Sequence, residues 1–212
     1  KAKLRLIYEE FFQEQMKIIS RRQTQQQIKS TIINNSQDEV DHYKSLFPYE
    51  LTKDQNKALQ SIKEDLSSGS PMMRLIQGDV GSGKTTVALV SAAMVASKGH
   101  QVAIMCPTEA LAIQHFENAK KILGSEYTID TLLGAHKEKE KKEIIKKLIS
   151  GETKIIIGTH SLFQKKVTFH DLKYVIIDEQ HKFGVEQRLS LTRKGDNPHS
   201  LIMTATPIPR SL

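Results

Sequence analysis

The chain has 212 residues, of which 26% are charged and 38% hydrophobic, a composition typical of a globular protein with one large domain or one domain and an appendage. It has no apolar run long enough to span a bilayer, no signal-peptide pattern and a single cysteine, Cys106, which excludes an internal disulfide; we therefore expect a cytoplasmic protein. The net charge of +7 favours polyanionic partners, and the first residue, Lys1, suggests a fragment of a longer protein.

The N-terminal segment carries apolar residues at helical spacing between Leu4 and Ile19, which predicts an amphipathic helix. A polar, glutamine-rich stretch follows, with a break at residues 34–36. We therefore predict a helical arm over residues 1–45 and a main domain over residues 46–212.

From residue 46 onward, helical and strand-like segments alternate. Helices are predicted over Thr52–Leu66 and Thr86–Ala96. Short apolar strands are predicted at Leu75–Ile76, Val102–Met105, Thr128–Leu132, Lys154–Ile157, Tyr174–Ile177 and Leu201–Met203. This alternation predicts an α/β fold whose parallel sheet is covered by helices on both faces, with ligands bound at the carboxyl ends of the strands.

A phosphate-binding loop is the clearest motif. Residues 78–85 read GDVGSGKT, match the pattern G-x-x-x-x-G-K-[ST] at every fixed position, and stand between a strand and a helix. Lys84 would reach the β- and γ-phosphates of a nucleotide and Thr85 would bind Mg²⁺. The expected nucleotide contacts are Gly78, Asp79, Val80, Gly81, Ser82, Gly83, Lys84, Thr85 and Thr86. The simpler alternative is a glycine-rich turn without a ligand.

An acidic pair follows the predicted strand Tyr174–Ile177. Asp178 stands where a P-loop fold places the carboxylate that orients the water shell of Mg²⁺. Glu179 is placed to polarise the water that attacks the γ-phosphate, which favours hydrolysis over transfer to a hydroxyl. The alternative interpretation is a solvated strand end.

Together these motifs resemble those of superfamily 2 helicases, which have a RecA-like fold. The P-loop, the box 178–181 (DEQH) and residues 204–206 (TAT) are similar to motifs I, II and III, and residues 107–112 (PTEALA) and 158–160 (GTH) to motifs Ia and Ic. The strings QGDVGSGKT, IDEQH, FGVEQR and MTATPIPR resemble the RecG family of bacterial branched-DNA translocases over nearly the whole chain. Proteins similar to the transcription-repair coupling factor are the alternative, but they usually carry Glu where Gln180 stands.

The resemblance implies a role for each motif residue. The residues for ATP hydrolysis with Mg²⁺ would be Lys84, Asp178, Glu179, Gln180 and His181. Thr204 and Thr206 would link the nucleotide site to the DNA path. Contacts to the DNA backbone would come from Pro107, Thr108, Glu109, Gly158, Thr159, His160 and Arg188, whereas motif Ib reads Leu133-Gly134 instead of the usual Thr-Gly. Thr108 is open to a second interpretation as a helix N-cap, and His160 and His181 as structural histidines.

Gln55 also has two interpretations. Phe47 and residues 51–55 (LTKDQ) resemble the Q motif, in which a glutamine binds adenine through its amide donor and acceptor. Thr52 and Gln55 also have the spacing of a capping box. The resemblance favours the interpretation that Gln55 binds adenine, with Phe47 beside the same site.

The resemblance further implies an ATP-driven motor on branched double-stranded DNA, such as forks and Holliday junctions, in the bacterial nucleoid. A second RecA-like domain with its arginine finger, and a wedge domain, would lie outside this chain, so we expect the chain alone to hydrolyse ATP slowly or not at all. Two other classes remain as alternatives. A P-loop kinase would leave Glu179 unexplained, and a non-catalytic DNA-binding module would leave the two nucleotide motifs unexplained.

Overall fold

The computed structural model describes residues 28–179 and 191–205, together with residues 5, 8, 9, 11–13, 15 and 16. The helices in this part are α1 (Gln37–Ser45), α2 (Lys53–Leu66), α3 (Lys84–Ala96), α4 (Glu109–Leu123), α5 (Glu138–Ser150) and a short 3₁₀ helix (His160–Phe163). The strands are β1 (Met73–Gln77), β2 (Gln101–Met105), β3 (Ile129–Leu132), β4 (Ile155–Gly158), β5 (Leu172–Asp178) and β6 (His199–Thr204).

All six described strands form one sheet in the order β1-β6-β5-β2-β4-β3, and every neighbouring pair is parallel. The predicted parallel α/β fold is confirmed, and each predicted strand ends within two residues of the observed one. β1, β5 and β6 each begin two residues earlier than predicted. In β6 the two added residues are polar: His199 and Ser200 are buried and pair with β5. Polar residues can be buried in a strand when their hydrogen bonds are satisfied, so a strand predicted from apolar residues alone is too short.

The two faces of the sheet pack into two separate apolar clusters. Along β2, Val102 and Ile104 belong to one cluster and Ala103 and Met105 to the other. This alternation follows from the two-residue period of side chains along a strand. Because both faces are covered, the strands are apolar throughout, as the sequence predicted.

Helix α3 is the central helix of the larger cluster. Every residue from Thr86 to Ala96 is buried, and the helix packs on α1, α2, β2 and β5. A helix that is apolar on all sides needs such complete coverage. The P-loop, which precedes this helix, is therefore anchored on the most deeply buried helix of the described chain.

The segment before residue 46 contributes to the same core. Ile33, Val40 and Tyr43 are buried among residues of α2 and α3, and α1 begins with a capping box formed by Ser36 and Glu39. The division of the chain at residue 45 remains a prediction. The described residues between 5 and 16 are helical and exposed, and no helix in the described part of the chain is both long and apolar enough to cross a membrane.

Candidate nucleotide and nucleic-acid site

The strand order separates the sequence motifs into two groups on one edge of the sheet. The P-loop, the acidic pair and motif III follow β1, β5 and β6, which are neighbours in the sheet. Motifs Ia, Ib and Ic follow β2, β3 and β4, which form the other half. Because all strands are parallel, their carboxyl ends meet at the same edge. The predicted nucleotide and DNA contacts therefore lie side by side.

The P-loop turns through two glycines in left-handed conformations. Gly81 has φ 82° and Gly83 has φ 81°, values that glycine adopts without steric cost. Helix α3 begins directly after Gly83, and within the described structure its first turn has neither a side-chain cap nor an acidic residue. Its first N–H groups and the positive end of its dipole are thus suited to an anion.

Lys84 lies inside this loop. Its Nζ donates hydrogen bonds to the carbonyl oxygens of Gly78 at 2.6 Å and Asp79 at 2.8 Å. The ammonium is therefore held beside the turn whose N–H groups would cradle phosphates. Thr85, the next residue of α3, is partly exposed, whereas Thr86 is 4% exposed and its hydroxyl bonds to Tyr49 Oη at 2.7 Å.

Gln55 forms the capping box and contacts the P-loop at the same time. Thr52 N–H donates to Gln55 Oε1 at 2.9 Å, and Gln55 N–H donates to Thr52 Oγ1 at 3.3 Å. The Nε2 of Gln55 donates to the carbonyl of Ser82 at 3.0 Å. The capping interpretation is therefore seen directly, and the same side chain braces the P-loop. Its contact with adenine remains a prediction.

The two aromatic residues before the capping box differ in exposure. The Phe47 side chain, which we expected at the nucleotide, is 6% exposed and packs in the core. Tyr49 is 52% exposed, with its ring centroid 5.9 Å from that of Phe47. Tyr49 thus presents an accessible ring whose hydroxyl is bonded to Thr86, at the start of the helix that follows the P-loop. The motif match pointed to Phe47, so the sequence did not identify Tyr49.

The acidic pair ends β5. Asp178 is 9% exposed, and Glu179 has φ 52°, an uncommon conformation for a residue other than glycine. The carboxylate of Glu179 accepts hydrogen bonds from Thr204 Oγ1 at 3.2 Å and from Ala205 N–H at 3.1 Å. Motif III therefore contacts the carboxylate of motif II. The predicted link between the nucleotide site and the DNA path through Thr204 thus has a hydrogen bond on its nucleotide side.

Asp178 also has a partner that the sequence analysis missed. The Nε2 of His115, on α4, lies 3.0 Å from Asp178 Oδ2. The two residues are 63 positions apart, and only the adjacency of β2 and β5 brings α4 to this strand end. Cys106 lies nearby, and burial, together with the charge of Asp178, raises the pKa of its thiol. Cys106 is thus a buried neutral thiol and not a nucleophile.

The motifs predicted to contact DNA meet at the other half of the edge. Thr108 is the N-cap of α4 and accepts a hydrogen bond from Leu111 N–H at 3.3 Å, and Glu109 Oε1 accepts one from Ala135 N–H at 3.1 Å. Gly134 lies against Glu109 and His160, which joins motifs Ia, Ib and Ic. Pro107 precedes this cap.

Motif Ic follows β4 directly. Gly158 pairs with the end of β2 through Cys106 N–H, and its position leaves no room for a side chain against the carbonyl of Leu132. The hydroxyl of Thr159 is buried and has no hydrogen-bond partner in the described part of the chain, and His160 is exposed. Gln180, His181, Arg188 and Thr206 lie outside the described residues.

These residues fit a phosphate chain with Mg²⁺. Magnesium keeps several waters and usually binds through one or two protein oxygens plus substrate phosphates. The hydroxyl of Thr85 and the carboxylate of Asp178 are such donors, and Lys84 supplies a cation for the phosphates. When bound, the metal would neutralise charge on the phosphate oxygens.

A parallel sheet with a P-loop after one strand and an acidic pair after a neighbouring strand defines a P-loop nucleoside-triphosphatase domain. The sequence model of the DEAD/DEAH box helicases matches residues 52–212, and the chain belongs to this family. This match confirms the resemblance to superfamily 2 helicases.

Proteins described as ATP-dependent DNA helicase RecG are similar over the whole chain. Those of Synechocystis sp. and Aquifex aeolicus are 42% and 43% identical to it, with 100% and 98% of the chain covered. The chain spans only 26% and 27% of their lengths. The solved structure of RecG bound to a three-way DNA junction matches with a TM-score of 0.83 and 38% identity, over 96% of this chain and 27% of that one.

Proposed function

We propose that this chain is the ATP-binding motor domain of a DNA translocase that remodels branched double-stranded DNA, such as stalled forks and Holliday junctions. One observation carries the proposal: a single sheet edge holds the motifs predicted to bind nucleotide, after β1, β5 and β6, and those predicted to contact DNA, after β2, β3 and β4. The similarity to RecG helicases, one of them solved on a three-way DNA junction, supports branched DNA as the substrate.

The residues around the P-loop divide the work of hydrolysis. Lys84 and the N–H groups of the loop would bind the phosphates, and Thr85 and Asp178 would hold Mg²⁺ with its water shell, which would neutralise charge on the phosphates. Glu179 orients the attacking water and takes up its proton. The donors Thr204 Oγ1 and Ala205 N–H fix the orientation of the Glu179 carboxylate beside the P-loop half of the sheet edge.

The base of the nucleotide would lie against Gln55 and Tyr49. The exposed ring of Tyr49 offers a stacking surface, and its hydroxyl is fixed by Thr86 on α3. Phe47 would act from behind, by supporting the Tyr49 ring. Gln55 would exchange a cap or P-loop contact for adenine.

The DNA backbone would be held by hydroxyls and N–H groups of motifs Ia and Ic without reading of bases. The start of α4 at Thr108 supplies N–H donors on this side. The Thr159 hydroxyl is buried and unpaired within the described structure, so it would donate to a phosphate only after it is uncovered. Gln180, His181 and Thr206 would pass the state of the γ-phosphate toward this surface, and Arg188 would add a cation. A second RecA-like domain and a wedge domain of the same protein would complete the motor in the cytoplasm.

ATP hydrolysis by the complete protein, with and without a model replication fork, tests the proposal. We expect fork DNA to stimulate hydrolysis and Lys84→Ala to abolish nucleotide binding. Glu179→Gln should keep nucleotide binding but lower the rate by roughly 10²–10⁴-fold, because the general base is lost.

Three results would contradict the proposal in different ways. An ATP hydrolysis rate that is the same with and without DNA would contradict the motor function. Transfer of the γ-phosphate to an acceptor without release of inorganic phosphate would indicate a kinase, and DNA binding without hydrolysis would indicate a non-catalytic module.

A further inference from the structure

We propose that His115 is a positioning residue, which fixes the Asp178 carboxylate in the orientation that binds the Mg²⁺–nucleotide complex; this inference rests on the proposed ATP-dependent function. His115 and Asp178 form a pair whose side chains are only 11% and 12% exposed, with Nε2 and Oδ2 3.0 Å apart. The pair lies at the border between the nucleotide half and the DNA half of the sheet edge.

The chemistry of the pair fixes the direction of the hydrogen bond. An ionised carboxylate only accepts, so the Nε2–H of His115 donates to Oδ2. This bond holds the plane of the carboxylate, and among the described residues Oδ1 accepts no hydrogen bond, so it would serve the water shell of a bound Mg²⁺. Carboxylates that serve metal ions are commonly held by such an outer hydrogen bond, and its loss typically weakens metal binding or activity by about 10–100-fold.

Helix α4 gives His115 a fixed position. The helix is capped at its start by Thr108 and buried along one side through Ala112, Ala119 and Leu123. His115 follows Thr108 by seven residues, or about 10 Å along the axis, and lies on the same side of the helix. Because α4 is held in place, the His115 ring has a fixed position, as a positioning role requires.

A second histidine–aspartate pair in the same domain serves as the internal comparison. His100 Nδ1 lies 2.6 Å from Asp171 Oδ2, at the opposite edge of the sheet where β2 and β5 begin. This pair joins the same two regions of chain, and none of the motif residues that the structure describes bonds to it. Loss of the His100 contact thus reports the structural effect of losing such a bond, without an effect on the nucleotide site.

The test uses the complete protein and a fluorescent ADP analogue, titrated once with Mg²⁺ and once with EDTA. His115→Leu should weaken binding about 10-fold or more in Mg²⁺ and leave binding in EDTA unchanged. His115→Gln, whose amide reaches as far as Nε2, should restore most of the lost affinity, whereas His115→Asn is too short and should not. His100→Leu should behave as wild type in both titrations.

Asp178→Asn completes a double-mutant cycle, in which His115→Leu should add little to the loss of Mg²⁺-dependent affinity that Asp178→Asn already causes. Equal losses in Mg²⁺ and EDTA, or the same behaviour of the Gln and Asn variants, would overturn the positioning role. If His115→Leu does not fold, the Mg²⁺-dependent affinities of His115→Gln and His115→Asn are sufficient to test the positioning role. A wild-type protein that binds no nucleotide would refute the proposed function instead, so the two failures are distinguishable.

Discussion

Gly83 joins the P-loop to α3 and is glycine for a conformational reason. Its φ of 81° lies in the left-handed region, as does that of Gly81, which has φ 82° and open space around it. A Cβ at Gly83 would also displace Nε2 of Gln55, the far end of a flexible side chain that bonds to the carbonyl of Ser82. At the scale of single residues, the P-loop therefore depends on conformation at both glycines, and a side chain at Gly83 would in addition move Gln55.

Replacement of Gly83 by Ala should weaken binding of Mg²⁺–ATP by about 10-fold or more, because one or more N–H contacts to phosphate are displaced. Gly99→Ala is the matched control: Gly99 has φ 86°, open space and no place in the site. Both variants should lose about 1–2 kcal/mol of unfolding free energy through backbone strain. Nucleotide titration together with urea denaturation separates the effects, and equal affinity in the two variants would refute this account of Gly83.

Helix α4 carries contacts to both halves of the site. Thr108 begins it beside motifs Ib and Ic, and His115 reaches Asp178 from its second turn. The same threonine is both a structural cap and a proposed contact to the DNA backbone. A carboxylate also caps a helix well, but it repels phosphate, so the two roles can be separated by substitution.

Thr108→Ala should lower the free energy of unfolding by about 1 kcal/mol, because the N-cap bond to Leu111 N–H is lost. Thr108→Asp should keep that stability but weaken binding of duplex DNA, as measured by fluorescence anisotropy over a series of salt concentrations. Wild-type DNA affinity in the Asp variant would show that Thr108 is a cap alone.

At the scale of the whole molecule, residues 28–33 are strapped across the start of β6. The Nδ1 of His199 accepts a hydrogen bond from Met72 N–H at 3.1 Å, so its Nε2 carries the proton and donates to the carbonyl of Thr31 at 2.8 Å. Ser30 bonds to the carbonyl of Asn197 at 2.7 Å. β6 thus meets the N-terminal segment at one end and the Glu179 carboxylate at the other.

The contact between His199 and residues 28–33 makes the free energy of unfolding depend on pH. Burial lowers the pKa of His199 below its usual 6.5, although the bond to Thr31 opposes the shift. As pH falls below 6.5, the unfolded chain takes up the proton first. The contribution of His199 is therefore fully present above pH 6.5 and is lost as pH falls through the folded pKa.

Urea denaturation at pH 7.5 and pH 5.5 should show lower stability at pH 5.5, with a slope from this one group of at most about 1.4 kcal/mol per pH unit. His199→Gln cannot titrate and should reduce the difference between the two pH values. An unchanged difference in the variant would assign the pH dependence to other groups.

Much of the fold could be predicted because its signals are local. The six strands were predicted from short apolar runs, and the P-loop and the acidic pair from fixed spacings at strand ends. The roles of side chains were harder. Gln55 had two interpretations in the sequence because its cap partner is three residues away and its P-loop partner, Ser82, is 27 residues away. Only the fold shows that both contacts form.

The phosphate loop, the acidic pair, the parallel α/β class and the helicase family could all be identified from local sequence patterns, since each depends on residues close together in the chain. The contacts between residues that strand order brings together are visible only in the folded chain. The tertiary structure paired His115 with Asp178, placed Tyr49 rather than Phe47 at the surface, and tied residues 28–33 to His199. Apolar patterning shows that a strand is buried but not which strand lies beside it, so contacts across the sheet cannot be read from spacing alone.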